Sequence, residues 1–252
     1  MPAIIYDNIS KSFSGNGFAV DHITAQIDEG EAVTILGSSG CGKTTLLKLT
    51  NRLYEPDCGR IIINGEDIQT VDPVELRRRM GYVIQQVGLF PHMTVKENIT
   101  TVPKLMKWET ERMNERADEL IKLVGLDPAK FRDRYPHQLS GGQQQRIGLA
   151  RALVLDPEIM LMDEPFGAID AITRLNLQNE LMRIHRELGK TLLFVTHDIN
   201  EALKIGDRVM VMNEGCLLQF DTPENIVKHP ADGFVKMLIE SARSQEEVLL
   251  GE

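Results

Sequence analysis

A glycine-rich stretch is the first feature of this sequence whose residue types and spacing could do chemistry. It reads Gly37-Ser38-Ser39-Gly40-Cys41-Gly42-Lys43-Thr44 and fits the pattern G-x-x-x-x-G-K-[ST]. Glycines let the backbone curl so that its N–H groups converge on phosphate oxygens, and the following helix points its positive end at the same place. In such a loop Lys43 reaches the β- and γ-phosphates of a nucleotide, and the Thr44 hydroxyl binds Mg²⁺.

An acidic pair follows a second apolar strand. The strand is predicted at residues 159–162, and Asp163 and Glu164 come directly after it. The first carboxylate can hold Mg²⁺, while its neighbour projects differently and can orient or deprotonate an attacking water. Taken alone, such a pair is more often a solvated turn. The glycine-rich loop upstream favours the catalytic interpretation.

Two further polar residues follow predicted strands. His197 comes after the strand at residues 192–195, where it could contact a γ-phosphate. Gln85 comes after the strand at residues 82–84, and its neutral amide suits a contact with Mg²⁺ or water. A lone histidine or glutamine is usually structural, so both assignments depend on the motif that follows.

A second glycine pair occurs in the run Leu139-Ser140-Gly141-Gly142-Gln143. Ser140 and Gln143 have the spacing of a capping box at a helix start, and the glycines expose backbone N–H groups there. This predicts a second anion-binding helix terminus. Because a helical segment of its own carries it away from the first loop, it can complete a phosphate site only on another copy of the chain. The sequence thus suggests a head-to-tail pair with nucleotides between the copies.

The elements that must position these residues alternate between strands and helices. A Gly-Asn-Gly turn is predicted at residues 15–17, helices at 43–53 and 72–80, and a mostly helical stretch at 94–155. Further strands are predicted at residues 20–27, 32–36, 61–63, 209–212 and 216–220. Such alternation predicts an α/β core with a parallel sheet, whose ligands bind beyond the carboxyl ends of the strands.

Composition narrows the class of protein. The 252 residues are 42% apolar and carry a net charge of −9, which suits a globular core and disfavours binding to nucleic acid. Three cysteines without metal-ligand spacing favour a reducing cytosol. The sequence shows no signal peptide and no apolar run approaching the ~20 residues that span a bilayer. We therefore expect that a partner provides any membrane-embedded part.

The motifs in this order resemble those of the ABC ATPase family over about residues 3–240. In chain order, the resemblance assigns Walker A to residues 37–44, the Q-loop to Gln85, the signature motif to 139–143, Walker B to 159–164, the D-loop to 167–170 and the switch histidine to His197. It implies a P-loop NTPase fold with an N-terminal antiparallel β subdomain and an inserted α-helical subdomain. The expected segments are residues 1–86, 87–155, 156–240 and a tail at 241–252.

The resemblance also implies a role for each site residue, with ATP and Mg²⁺ as cofactors. Catalytic roles fall to Lys43, Gln85, Glu164 and His197, and the Mg²⁺ ligands are Thr44, Gln85 and Asp163. The expected nucleotide contacts are Phe13, Gly37, Ser38, Ser39, Gly40, Cys41, Gly42, Lys43, Thr44, Thr45, Ser140, Gly141, Gly142, Gln143 and Asp170. Phe13 would stack on adenine, with Phe18 as its substitute. Gly167 begins the D-loop where serine is commoner.

Residues 80–99, 172–174 and 221–226 are similar to the ATPase subunits of osmoprotectant uptake systems. This implies a subunit on the cytoplasmic side of the plasma membrane, paired with a second copy, a transmembrane permease and an external substrate-binding protein or domain. Glycine betaine, carnitine or choline is the expected solute, with ergothioneine as an alternative. Many such relatives carry C-terminal CBS domains, so we expect a short form or a truncated chain.

Two other classes of ABC protein compete with the importer. An exporter motor is disfavoured because no membrane segment is fused to the sequence and because its motifs are spelled as in importers. A soluble ABC protein of translation or DNA repair usually carries two cassettes or a long coiled-coil insertion. The sequence has neither, and its acidic charge disfavours nucleic acid as a partner.

Overall fold

The computed structural model describes residues 1–13, 17–85, 88–167 and 169–250. Residues 15 and 16 of the predicted turn, and Ala168 of the predicted D-loop, lie outside this part. The chain forms two compact units: unit 1 comprises residues 1–77 and 191–252, and unit 2 comprises residues 78–190. Within the described residues, no helix combines the length and the apolar character needed to cross a membrane.

Unit 1 contains an antiparallel sheet at the N-terminus. In spatial order its strands are β2 (Phe18–Asp28), β1 (Pro2–Ser12), β4 (Cys58–Ile63) and β5 (Glu66–Asp67). In β2, the side chains of Ile23, Ala25 and Ile27 are buried and alternate with exposed neighbours, which is the pattern of a strand with one covered face. The predicted N-terminal antiparallel subdomain is therefore confirmed.

Unit 1 also contains parallel strands. β3 (Ala32–Gly37) lies between β8 (Thr191–Thr196) and β9 (Arg208–Asn213) and runs parallel to both, and β10 (Cys216–Asp221) is antiparallel to β9. β3 and β8 are buried along their whole length, as expected for parallel strands that are covered on both faces. The helices of this part are α1 (Lys43–Thr50), α2 (Pro73–Arg78), α9 (Ile199–Ile205), α10 (Pro223–Lys228) and α11 (Phe234–Leu250).

A hydrophobic cluster covers one face of β3 and β9 with α9, α10 and α11. Its buried members are Leu36, Ala202, Val209, Val211, Ile226, Val235 and Ile239. α11 continues to Leu250, so the segment that was expected as a separate tail is continuous with the last helix of the unit.

Unit 2 pairs two short parallel strands with a set of helices. β6 (Met80–Val83) and β7 (Ile159–Asp163) are in register from Met80 opposite Ile159 to Val83 opposite Met162. Between them in sequence lie α3 (Val95–Ile99), α4 (Thr101–Leu105), α5 (Thr110–Leu123), α6 (Pro128–Phe131) and α7 (Gly141–Ala152), and α8 (Ala171–Leu188) follows β7. The predicted helical insertion is thus present.

Two predicted helix ends were wrong. The helix predicted to reach residue 53 stops at Thr50, because Arg52 adopts a left-handed φ of 54° and its guanidinium binds the carbonyls of Ile68 and Val71. The helix predicted to reach Met80 stops at Arg78, because Met80 already belongs to β6.

Candidate functional site

The glycine-rich loop connects β3 to α1 in unit 1. α1 begins without a side-chain cap, and its N-cap position is Gly42. In contrast, α7, α8 and α9 are each capped by a side chain, from Ser140, Asp170 and Asp198 respectively. The first N–H groups of an α-helix lack intrahelical acceptors and carry its positive end. The start of α1 therefore suits an anion.

Close packing of unit 1 fixes the shape of this loop. Gly42 has a φ of 106°, and a Cβ added to it would lie 2.0 Å from the carbonyl oxygen of Ala19 in β2. A Cβ on Gly37 would lie 2.3 Å from the carbonyl oxygen of Met212 in β9. No other residue type fits these positions without displacing backbone, so the loop is shaped by its neighbouring strands before any ligand binds.

The ammonium group of Lys43 lies over the loop. This side chain is buried, and its Nζ donates hydrogen bonds to the carbonyl oxygens of Gly37 and Ser38, each at 2.8 Å. A cation in so dry a position is costly, and a charged oxygen is a stronger partner for it than a neutral carbonyl. The loop, the uncapped helix and the lysine all therefore fit a phosphate.

His197 lies directly after β8. In the parallel pairing of β3 with β8, Leu36 is opposite Thr196, so Gly37 and His197 leave the same edge of the sheet at the same level. His197 is exposed. Behind it, Asp198 caps α9 and the Thr196 hydroxyl donates to Glu201 at 2.7 Å, which fixes the backbone on both sides of the histidine. Unit 1 therefore brings His197 to the edge where the phosphate loop begins.

Phe13, the predicted adenine-stacking residue, is 43% exposed, and its substitute Phe18 is 51% exposed. The ring of Phe13 packs edge-on against Tyr54, with centroids 5.1 Å apart, and the ammonium of Lys11 lies 5.5 Å from its centre. Nothing in the spacing of Tyr54 distinguishes it in the sequence, so its contact with Phe13 could not be predicted. Phe13 is thus partly held in place while keeping exposed surface.

The acidic pair lies at the carboxyl end of β7 in unit 2. Asp163 is 8% exposed, and Glu164 has a left-handed φ of 44°. Such a backbone conformation is uncommon for a residue other than glycine and often marks a functional position. The Nε2 of Gln85 donates to the Oε2 of Glu164 at 3.2 Å. Because a carboxylate can only accept, the amide nitrogen faces Glu164, and the amide oxygen is the atom suited to a cation.

The signature segment begins α7. The predicted capping box is present: the Ser140 N–H donates to the Gln143 Oε1 at 3.0 Å, and the Gln143 N–H donates to the Ser140 Oγ at 3.3 Å. Ser140 and Gly141 are exposed. The side chains of Ser140 and Gln143 therefore fix the start of the helix, while the first glycine faces open space.

The two glycines of this segment have different roles. A Cβ on Gly142 would lie 2.6 Å from the Cγ2 of Thr173 in α8, whereas a Cβ on Gly141 meets no atom within 4 Å. We expect Gly142→Ala to lower the free energy of unfolding by about 1–3 kcal/mol, because it overpacks the contact between α7 and α8. Gly141→Ala is the matched control and should not destabilise the chain. Thermal unfolding of both variants measures the difference, and equal stabilities would contradict this packing account.

The predicted D-loop places Asp170 at the N-cap of α8. Its Oδ1 accepts from the Thr173 N–H at 3.0 Å, and that hydrogen bond lowers the pKa of the Asp170 carboxyl. The contact between Asp170 and a nucleotide remains a prediction. A Cβ on Gly167 would lie 3.6 Å from the carbonyl oxygen of Glu164, an ordinary contact distance, so this position has room for the commoner serine.

The site residues thus divide between the two units. Unit 1 holds Phe13, residues 37–45 and His197, and unit 2 holds Gln85, residues 139–143, Asp163, Glu164 and Asp170. A phosphate loop between a buried parallel strand and an uncapped helix defines the P-loop class of nucleotide-binding proteins.

The chain belongs to the ABC transporter family, whose model matches residues 20–167. Membership of this family implies nucleotide binding. A solved structure of the ATP-binding cassette MJ0796, a dimer in a post-hydrolysis state bound to ADP and Pi, is similar to this chain. The TM-score is 0.77 at 34% identity, over 87% of this chain and 98% of that one.

Curated relatives are more similar in sequence. The carnitine transport ATP-binding protein OpuCA of Listeria monocytogenes is 56% identical over 234 residues, or 93% of this chain. The glycine betaine uptake system ATP-binding protein YehX of Escherichia coli is 50% identical over 233 residues, or 92% of this chain. The chain spans 59% of the length of OpuCA and 75% of the length of YehX.

Proposed function

We propose that this chain binds and hydrolyses ATP as the motor subunit of an importer for quaternary ammonium osmoprotectants. The observation that carries the ATPase part is the phosphate loop, where Lys43 lies over the uncapped start of α1. The names of the relatives at 50–56% identity support the kind of solute.

Nucleotide binding is assigned to unit 1. The N–H groups of the loop and of the first turn of α1 would receive the β- and γ-phosphates. Lys43 would exchange the carbonyls of Gly37 and Ser38 for phosphate oxygens, which are stronger partners. Phe13 would stack on the adenine with its exposed face, steadied by Tyr54.

Mg²⁺ is assigned to the oxygens of Thr44, Gln85 and Asp163. These are hard donors of the kind that Mg²⁺ prefers, and the Gln85 oxygen faces away from Glu164. Among the described residues there is no cluster of three or more His, Cys, Asp or Glu side chains that could cage a metal. This suits Mg²⁺, which usually takes few protein ligands together with substrate phosphates. When bound, it would neutralise charge on the phosphate oxygens.

Hydrolysis is assigned to Glu164, which would take a proton from the attacking water. Its hydrogen bond with Gln85 orients the carboxylate, and its constrained backbone limits where the side chain can point. His197, on the edge where the phosphate loop begins, would contact the γ-phosphate. Each group acts by position and charge, as phosphoryl transfer requires.

A second copy of the chain would complete each site. The exposed start of α7 at Ser140 and Gly141 would bind the nucleotide held by the other copy, in a head-to-tail dimer. The dimeric form of the MJ0796 cassette supports the pairing of two copies. A permease would hold the dimer at the cytoplasmic side of the plasma membrane, and an external binding protein or domain would deliver the solute.

The solute class follows from the relatives. OpuCA is named for carnitine and YehX for glycine betaine, and both compounds carry a trimethylammonium group. We assign the same class to this chain, with choline included and with ergothioneine as an alternative that shares the group. The other subunits would contact the solute.

Co-purification from native membranes in mild detergent tests this function. We expect a permease and an external binding protein or domain to accompany the chain, and the binding domain to bind glycine betaine, carnitine or choline in titrations that include ergothioneine. Recovery of ribosomes or repair factors without a membrane protein would overturn the transporter role and leave only the ATPase.

A further inference from the structure

The segment after Gln85 is held by a side chain from the signature helix. Arg151 lies in the last turn of α7, and its Nη1 donates to the carbonyl oxygen of Gly88 at 2.8 Å. Its guanidinium carbon also lies 6.0 Å from the centre of the Phe90 ring. The helix that presents Ser140 at one end therefore reaches the segment after Gln85 from its other end.

A second side chain holds the same segment further along. Asn98 of α3 is fully buried, and its Oδ1 accepts from the Phe90 N–H at 2.7 Å. Its Nδ2 lies within 3.1 Å of the carbonyl oxygens of Phe90, Met93 and Thr94. Residues 90–94 are thus fixed to α3, so the contact of Arg151 is made with a segment that cannot easily move away.

Gln85 lies between two positions of the chain that are each held by a contact. Two residues before it, Val83 is paired with Met162 at the end of β6, and three residues after it, Gly88 is held by Arg151. Three residues span at most about 10 Å of extended chain, so the position of the Gly88 carbonyl limits the region that Gln85 can occupy, and a large shift of Gly88 would move that region. The bond between Gln85 and Glu164 makes such a shift matter for the carboxylate as well.

The choice of an arginine at position 151 is better explained by a hydrogen bond than by packing alone. Burial lowers the pKa of the Arg151 guanidinium, which means that the site disfavours a cation. A leucine or methionine would fill the same space without that cost if packing were its only task. The bond to the Gly88 carbonyl is a contact that an apolar side chain cannot provide.

We propose that Arg151 is a positioning residue for Gln85, which it holds in place through the Gly88 carbonyl so that Gln85 and the signature helix move as one piece. This inference rests on the proposed ATPase function. A movement of α7 toward a nucleotide on another copy would then shift Gln85 in its own copy, and the reverse.

Kinetics of ATP hydrolysis by the 252-residue chain test this role. Arg151→Met should lower kcat by about 10-fold with the KM for ATP within about twofold, because misplacement of a catalytic side chain affects turnover rather than binding. Arg151→Lys should recover part of kcat, since an ammonium can also donate to a carbonyl. If Arg151→Met does not fold, Arg151→Gln is used in its place.

Arg116→Met is the matched control. Arg116 also donates to backbone carbonyls at the end of α7, those of Leu153 and Val154 at 3.0 and 3.2 Å, but no contact with residues 88–94 is found for it among the described residues. Arg116→Met should reproduce any loss of stability seen in Arg151→Met, but it should not lower kcat. An equal loss of kcat in this control would contradict the proposal.

A double-mutant cycle with Gln85→Ala separates positioning from general structure. If Arg151 acts through Gln85, Arg151→Met should have almost no further effect on kcat in the Gln85→Ala background. If the two substitutions instead lower kcat by independent factors that multiply, the assignment of Arg151 is overturned. The proposed function would then still stand. A wild-type chain that binds ATP but does not turn it over would instead contradict the proposed function itself.

Discussion

Glu164→Gln is expected to lower kcat for ATP hydrolysis by about 10²–10⁴-fold and to leave ATP binding intact, because an amide cannot take the proton of the attacking water. The substitution is close to isosteric and keeps the backbone that holds φ at 44°. The amide oxygen of the new side chain can still accept from the Gln85 Nε2, so the local geometry should persist. The variant should therefore lose the proton transfer from water with little change in the shape of the site.

The same variant should accumulate as an ATP-bound dimer. Binding would bring two copies together around the nucleotides, and without hydrolysis nothing would separate them. Size-exclusion chromatography with Mg²⁺-ATP, together with steady-state turnover, measures both effects. Glu187→Gln is the control, because Glu187 lies on the exposed surface of α8 and pairs with Arg183. Normal turnover by Glu164→Gln would rule out Glu164 as the base.

Ser140→Arg is expected to reduce turnover by about 10²-fold or more while a single copy still binds ATP normally. Ser140 is exposed at the start of α7, where the second copy's nucleotide would lie. A long cationic side chain there would block that approach. The phosphate loop of the same copy lies in unit 1 and keeps all its own contacts.

The loss of the helix cap must be separated from the loss of the interface. Ser140→Ala removes the same capping hydrogen bond, at a cost of about 1 kcal/mol, without adding bulk. We therefore expect Ser140→Ala to share the lower unfolding temperature but to keep far more activity than Ser140→Arg. Titration of ATP at dilutions that favour monomers completes the test. Lost binding under those conditions would mean that Ser140 acts within its own copy.

Local patterns were sufficient to predict most of the fold. Apolar runs gave β3, β7 and β8, and the spacing of Ser140 and Gln143 predicted the capping box. Helix ends were harder to predict, because they depend on distant partners. The carbonyls of Ile68 and Val71 hold Arg52 in the conformation that ends α1, and no local pattern indicates this.

In the candidate site, too, some features could be predicted from the sequence and others could not. The types and order of its residues were visible in the motifs, but their contacts were not. Neither the left-handed backbone of Glu164 nor the bond from Arg151 to Gly88 leaves a local sequence signal, because each depends on packing across many residues. The distinction between Gly141 and Gly142 likewise requires knowing that Thr173 lies beside only one of them.

Solute uptake by proteoliposomes that contain the purified complex of this chain with its permease tests directly whether ATP hydrolysis by this chain drives import. We expect labelled glycine betaine, carnitine or choline to accumulate only when ATP is supplied on the side of this chain, and accumulation to be lost when the chain carries Glu164→Gln. Uptake that proceeds equally without ATP, or with the Glu164→Gln chain, would contradict the claim that hydrolysis by this chain drives import.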